Sequence, residues 1–272
     1  MIETILEPFQ YDFMIRAFIV SIGIGILCPM VGSYVVVRRL AFMGDALSHT
    51  ALPGLVLGYL IGLNPLILAI PACILTAFAI GFLRTRTGLS EDTSIGIVLA
   101  GLFALGLAMI SMAGGVGMDL RGVLLGQILG VTNQDLWIIF GICIGTCLIL
   151  YLFHKELVFN SFDPQGASII GLPSSWLDYL LLVLISLVVV ASVQAVGVVL
   201  MLAMLITPAA IAKLLAKNFV SMMFVGSLIG VIICISGVYT SYFLNLPSGP
   251  AMTLIAVSVF MIVALATRRV PA

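Results

Sequence analysis

The length of the apolar runs in this chain decides what it can fold into. Nine stretches of roughly 20 predominantly apolar residues fall near 13–37, 44–63, 65–83, 94–113, 135–153, 175–196, 198–215, 219–242 and 249–267. A helix of about 20 residues crosses the ~30 Å hydrocarbon core of a bilayer. Lipid offers no partner for backbone N–H and C=O groups, so runs of this length must be helices. Charged residues make up only 8% of the chain, against about 25% in soluble domains. The expected fold is an all-α polytopic membrane protein of about nine transmembrane helices, forming a single transmembrane domain over 1–272. A basic footprint for nucleic acid is missing, because the charges are too few.

Orientation follows from the basic residues. With Arg38 and Arg39 on the cytoplasmic side, alternating crossings also place Arg84, Arg86, Lys155, Lys213, Lys217, Arg268 and Arg269 there. That is nine of the eleven basic residues, with Arg16 and Arg121 remaining. The predicted topology is therefore N-outside and C-inside. Glu3, Glu7 and Asp12 precede the first apolar run, where a cleavable signal would carry basic residues, so the N-terminus is expected to be retained. Asn64-Pro65, Gly197 and Pro247 separate neighbouring runs with little else, which predicts tight hairpins.

Residues 114–134 break the pattern. Gly114-Gly-Val-Gly-Met-Asp-Leu-Arg is polar and glycine-rich, and Gly122 to Val131 is too short to span. Two readings stand: a short outward-side or re-entrant helix, or a surface loop with an interfacial helix. Small residues recur every four positions at Gly54, Gly58 and Gly62, at Gly126 and Gly130, and at Gly141 and Gly145, a spacing that lets helices approach closely in lipid. The cysteines, Cys28, Cys73, Cys143, Cys147 and Cys234, all lie in apolar runs. They read as packing residues, although Cys143 and Cys147 share a helix face.

Ionisable groups inside a span are costly and mark function by default. Met43-Gly-Asp-Ala-Leu-Ser-His-Thr-Ala-Leu-Pro-Gly54 carries Asp45 and His49, four residues apart and so on one helix face with Cβ atoms roughly 6 Å apart. A carboxylate and an imidazole so placed can share a divalent cation or relay a proton. They can equally mark a helix start, with Asp45 near an N-cap and His49 bonded to a neighbour. Pro53 lies a turn further on and interrupts backbone bonding, and broken helices near substrate sites are a habit of transporters. Two ligands hold an ion weakly, as a site that must release it requires. Ser48, Gln194 and Thr207 are candidate pore-lining groups, with interhelical bonding and a Thr-Pro kink as the alternative for the last two.

Two cytoplasmic stretches are polar, Ser90-Glu-Asp-Thr93 and Phe162-Asp-Pro-Gln-Gly-Ala-Ser-Ile-Ile-Gly-Leu-Pro-Ser174. In the second, a short amphipathic helix from Pro164 to Ile170, ended by Gly171 and Pro173, obeys the start and stop rules and can dock in a partner's groove. The chain has no G-x-x-x-x-G-K-[ST] phosphate loop, so any nucleotide hydrolysis by that route belongs to another subunit.

These blocks resemble the permease subunits of bacterial ABC importers for manganese, zinc and iron. The likeness rests on Arg38-Arg-Leu-Ala-Phe-Met-Gly-Asp-Ala-Leu-Ser-His49 running into Ala51-Leu-Pro-Gly54. Phe162-Asp-Pro with Ala167 and Gly171-Leu172, and Gln194 through Thr207-Pro-Ala-Ala210, follow in the family's order. It implies a transport permease of the bacterial inner membrane, without catalytic residues or a tightly bound cofactor. It implies a homodimer or paired permease around a central path, an ABC ATPase subunit on the cytoplasmic side, and an extracytoplasmic metal-binding protein. It makes Asp45 and His49 the transit ligands for manganese, then zinc, then iron. It makes about 156–174 the coupling region, with Phe162, Asp163, Pro164, Ala167, Gly171 and Leu172 meeting the ATPase.

Two other classes are weighed against it. A secondary metal-ion/proton carrier working without an ATPase would thread several acids or bases through the membrane, whereas Asp135, Asp178 and Lys213 lie near segment ends. An intramembrane metalloenzyme needs a third ligand and a general base, and no span supplies them.

Overall fold

The computed structural model describes residues 10–112, 128–244 and 246–267, apart from the side chains of Glu91, Leu129, Gln194, Ala195 and Val199. The described residues are helical nearly throughout: α1 (Asp12–Arg38), α2 (Ala41–Thr50), α3 (Leu52–Ile61), α4 (Pro65–Thr87), α5 (Glu91–Met112), α6 (Asn133–Leu152), α7 (His154–Phe162), α8 (Pro164–Ile169), α9 (Ser174–Leu215), α10 (Phe219–Leu244) and α11 (Ser248–Ala266). Eight helical stretches among them are long and apolar enough to cross a membrane, α9 contributing two, 174–193 and 196–215.

Eight of the nine expected spans are thus found as long helical stretches, two of them the halves of α9. The ninth, 44–63, is two ten-residue helices in series, α2 and α3. The backbone runs on between them: Ala51 is right-handed helical (φ −65°, ψ −23°), accepts from the Leu55 N–H at 3.0 Å and donates to the Leu47 carbonyl at 3.1 Å. Pro53 cannot donate to the carbonyl of His49 one turn back, which interrupts an otherwise continuous run. Together the two helices cover about 30 Å at 1.5 Å per residue, the reach of one crossing.

The chain divides into two compact units. The first comprises 1–36, 121–143 and 192–272. Within it, α1 meets α10 at Gly25 and Gly230, so closely that a methyl on Gly25 would lie 3.0 Å from the Gly230 backbone. Pro29 has no N–H for the Gly25 carbonyl; that oxygen instead faces the Cα of Gly230, where any side chain would collide with it. Ser227 adds a hydrogen bond from its hydroxyl to the Ile26 carbonyl at 3.0 Å. Gly32 lets the 196–215 half of α9 come to van der Waals contact at Leu205. Cys28 pairs with Ser192 at 3.1 Å, and Tyr34, fully buried, meets Phe219 edge-on.

The second unit comprises 37–120 and 144–191. Gly54 and Gly58 press α3 on α4, where an added methyl would sit 2.6 Å from the Leu68 carbonyl oxygen and 2.7 Å from the Pro65 Cα, respectively. Gly62 does not extend that face: it ends α3 in the left-handed region (φ 77°), and Asn64 then caps α4 by accepting the Leu66 N–H. Gly81 receives the ring of Tyr179, and Gly106 of α5 receives Leu52. Gly141 and Gly145 of α6 have nothing within 4 Å of an added methyl among the described residues.

At Gly197 the backbone leaves helical geometry for one residue (φ 80°, ψ 169°), a conformation only glycine adopts cheaply. The expected connection at Asn64-Pro65 is found as a tight helix–helix turn; that at Pro247 falls between the end of α10 at Leu244 and the start of α11 at Ser248, and that at Gly197 is this single residue within α9. The expectations for 114–127 lie outside the described residues. Thr132 and Asp135 form a reciprocal cap at the start of α6, the Asp135 carboxylate accepting the Thr132 N–H at 3.1 Å and Thr132 Oγ1 the Asp135 N–H at 3.2 Å.

Candidate metal-transit site

The chain turns sharply between α1 and α2. Arg39 adopts a left-handed conformation (φ 61°) and Leu40 follows at φ −90°, ψ 27°. The turn that separates Asp45 from Arg38 therefore falls at Arg39–Leu40. α2 then starts at Ala41, with Leu40 at the N-cap position and no side-chain cap bond. Asp45 lies a full turn inside the helix, which removes the reading in which it caps the start.

Most of α2 is packed away, with Met43, Gly44, Ala46, Leu47, Ser48 and Thr50 all buried. Its open stripe is Phe42, 69% exposed, then Asp45 and His49, whose side chains are 41% and 30% exposed. The two polar groups thus share the single accessible edge of an otherwise buried helix. Asp45 Oδ1 and His49 Nε2 stand 3.6 Å apart, too far for a hydrogen bond. One ion bound by both at about 2.1–2.2 Å would subtend a ligand–metal–ligand angle of about 110–120° at that separation, near tetrahedral.

The described surroundings fix the pair in place. Ser48 is buried and gives its hydroxyl hydrogen bond to the Asp45 carbonyl at 2.6 Å. It braces the turn of α2 that carries Asp45. His49 is held edge-on against Phe103 of α5, ring centroids 5.3 Å apart, a contact no feature of the sequence announced. Cys73 donates to the Leu47 carbonyl at 3.5 Å, tying α2 to α4. Among the described residues no three His, Cys, Asp or Glu side chains converge. Thr207 is half-buried in the second half of α9, in the other unit from Asp45 and His49. The side chain of Gln194 is outside the described residues.

The polar stretch after α6 folds as its residues foretold. Asp163 caps α8, its Oδ1 accepting the Gly166 N–H at 2.8 Å, with Pro164 in the first turn. Gly171, left-handed at φ 83°, closes the far end: its N–H donates to the Ser168 carbonyl and that of Leu172 to the Ala167 carbonyl, a Schellman motif. Ala167 is buried, while Phe162, Ile169 and Ile170 are 60%, 83% and 66% exposed. Ile169 and Ile170 are docking candidates that the capping pattern alone does not single out.

Known proteins now bear on this arrangement. The model of the ABC 3 transport family matches residues 10–267. The manganese transport system membrane protein MntC of Halalkalibacterium halodurans is 40% identical over 251 residues, 92% of this chain and 86% of that protein. The chelated iron transport system membrane protein YfeD of Yersinia pestis is 39% identical over 259 residues, 95% of this chain and 86% of its own. Among solved structures, PsaBC from Streptococcus pneumoniae in complex with Fab superimposes with a TM-score of 0.87 at 37% identity, covering 97% of this chain and 95% of that one. A metal-chelate type ABC transporter in an inward-facing conformation shares the fold, with a TM-score of 0.70 at 18% identity.

Proposed function

This chain belongs to the ABC 3 transport family and is the multi-pass membrane permease subunit of an ABC transporter, and we propose that it imports a divalent transition metal ion, manganese first, then zinc and iron. The observation that carries the reading is the Asp45–His49 pair on the one open edge of α2. One oxygen and one nitrogen ligand suit manganese, iron and zinc alike, and no thiolate joins them to favour zinc. Affinity order alone would favour zinc over manganese, so selection rests with an extracytoplasmic metal-binding protein that delivers the ion. Relatives named for manganese and for chelated iron transport agree with that range.

Two ligands from one chain leave the ion undercoordinated. A second permease, identical or related, would bring its own pair and make four around a central path. The surface of α5 supports such pairing: Gly96, Ala100, Ala104 and Ala108 recur every four residues on its exposed side, with open space around Gly96, and Phe103 of the same helix touches His49. On the cytoplasmic side, α8 with Phe162, Asp163, Pro164, Ala167, Gly171 and Leu172 would seat in a groove of the ATPase subunit, its exposed Ile169 and Ile170 supplying the apolar contact.

The test is ATP-driven uptake by vesicles holding this chain with its ATPase and, inside out or right side out as required, its binding protein. The importer predicts accumulation of manganese or zinc that needs hydrolysable ATP and survives a protonophore. Uptake without the ATPase that collapses with the proton gradient would establish the secondary carrier instead.

A further inference from the structure

In the same unit as Asp45 and His49 lies a polar cluster that none of these roles uses. Arg38, the last residue of α1, spreads its guanidinium over the ends of two other helices. Its Nε donates to Ser161 Oγ at 3.0 Å, its Nη1 to Asp178 Oδ1 at 2.6 Å, and its Nη2 to the Asn160 carbonyl at 3.1 Å. Asn160 and Ser161 form the last turn of α7, immediately before Asp163 caps α8, and Asp178 lies in the second turn of α9. The acceptors are themselves cross-tied. Asn160 Nδ2 donates to Asp178 Oδ1 at 2.9 Å, and Ser161 donates to the Leu157 carbonyl at 2.6 Å.

The Arg38 and Asp178 side chains are 14% and 34% exposed, so the fork is partly buried and also holds the fold locally. Its position gives it a second consequence. The next residue is Arg39, held left-handed at φ 61°, and two residues further α2 begins and carries Asp45 and His49. A non-glycine residue in that region is strained, and such strain collects at switching segments. A planar fork with three donors fixes direction as well as distance, so a displacement of the α7–α8 corner is passed to the Arg39 turn. Asn160 Oδ1 is buried and without a partner among the described residues, a spare acceptor in the residue that Arg38 already grips.

We propose that Arg38 is a positioning residue that latches the α7–α8 corner to the turn entering α2, so that movement imposed on the coupling helix reaches Asp45 and His49. This rests on the importer reading above. It assigns to Arg38 a role in timing the transit pair rather than in touching the ion.

The experiment uses the complete transporter in lipid, with its ATPase and binding protein, for wild type, Arg38→Ala, Arg38→Lys and Asp178→Asn. Two quantities are read: metal moved per ATP hydrolysed, and the nucleotide-induced change in amide hydrogen exchange over 41–50. In Arg38→Ala the transport-to-hydrolysis ratio should fall about tenfold, the equivalent of one lost charge-assisted hydrogen bond, and the exchange response of α2 should vanish while ATP is still hydrolysed. Arg38→Lys and Asp178→Asn should fall between. Transport and hydrolysis that drop together at constant ratio, with the α2 response intact, would show a merely structural contact and overturn the latch. A wild type that hydrolyses ATP but moves no metal would refute the importer reading alone, because the exchange response still reports on the latch.

Discussion

Asp163 offers a substitution whose consequence can be worked from the structure. α8 has six residues, far below the length at which a helix holds by itself in water. Its order depends on a few ties: the Asp163 carboxylate on the Gly166 N–H at 2.8 Å, the two closing bonds at Gly171 and Leu172 of 3.2 and 3.0 Å, and the burial of Ala167. A methyl on Gly166 would displace the Asp163 carboxylate that lies against it. Asp163→Ala removes the cap, which costs about 1 kcal/mol, within a range of about 0.5–2. If the ATPase binds only the formed helix, that loss appears in full in its affinity, about fivefold, since about 1.4 kcal/mol is tenfold. Asp163→Asn and Asp163→Ser cap nearly as well and should bind within about twofold of wild type. Titrating the ATPase onto permease in lipid nanodiscs measures all three. Equal losses for Ala, Asn and Ser would refute the cap as the cause and point to the carboxylate charge, and an unaffected Ala variant would remove α8 from the interface.

Other outcomes follow from the same contacts. Ile170→Asp, at an exposed apolar position, should weaken ATPase assembly by about tenfold or more, as an apolar anchor in an interface does, while leaving the thermal midpoint of the isolated permease unchanged. Gly230→Ala drives a methyl into the Gly25 carbonyl and should cost about 1–3 kcal/mol by overpacking. Gly141→Ala, with open space around it, should gain up to about 1 kcal/mol of helix propensity. Thermal unfolding in detergent should therefore move in opposite directions for the two, and a common direction would contradict the α1–α10 contact.

Much of this architecture was legible in the sequence because its physics is local. Eight spans follow from hydropathy alone, since a bilayer leaves a long apolar run no other conformation. α8 was legible to within a residue because Asp163, Pro164 and Gly171 are each required by the backbone position they occupy. The division of 41–61 was harder, because hydropathy runs unbroken through Ala51-Leu-Pro53 and says nothing of where backbone bonding lapses. The α1–α2 turn was hidden for a different reason: its left-handed residue is Arg39, where no glycine or proline marks the spot. Gly62 shows the opposite failure, a glycine whose four-residue spacing suggested packing although its backbone is needed to end a helix. Contacts distant in sequence, such as Arg38 with Asp178, 140 residues apart, and His49 with Phe103, leave no pattern in a single chain.

The central claim is that Asp45 and His49 carry the ion. It is tested by metal accumulation in cells lacking their own importer and expressing this chain with its ATPase and binding protein. Wild type, Asp45→Ala and His49→Ala are compared, with manganese and zinc followed separately and membrane abundance checked. Both side chains are partly exposed on one edge of α2, so neither truncation should unfold the helix. Loss of uptake in both variants at normal abundance is the predicted result, and the ion that disappears is the cargo. Uptake at the wild-type rate in both would contradict the pair as transit ligands and turn attention to the helix carrying Gln194 and Thr207.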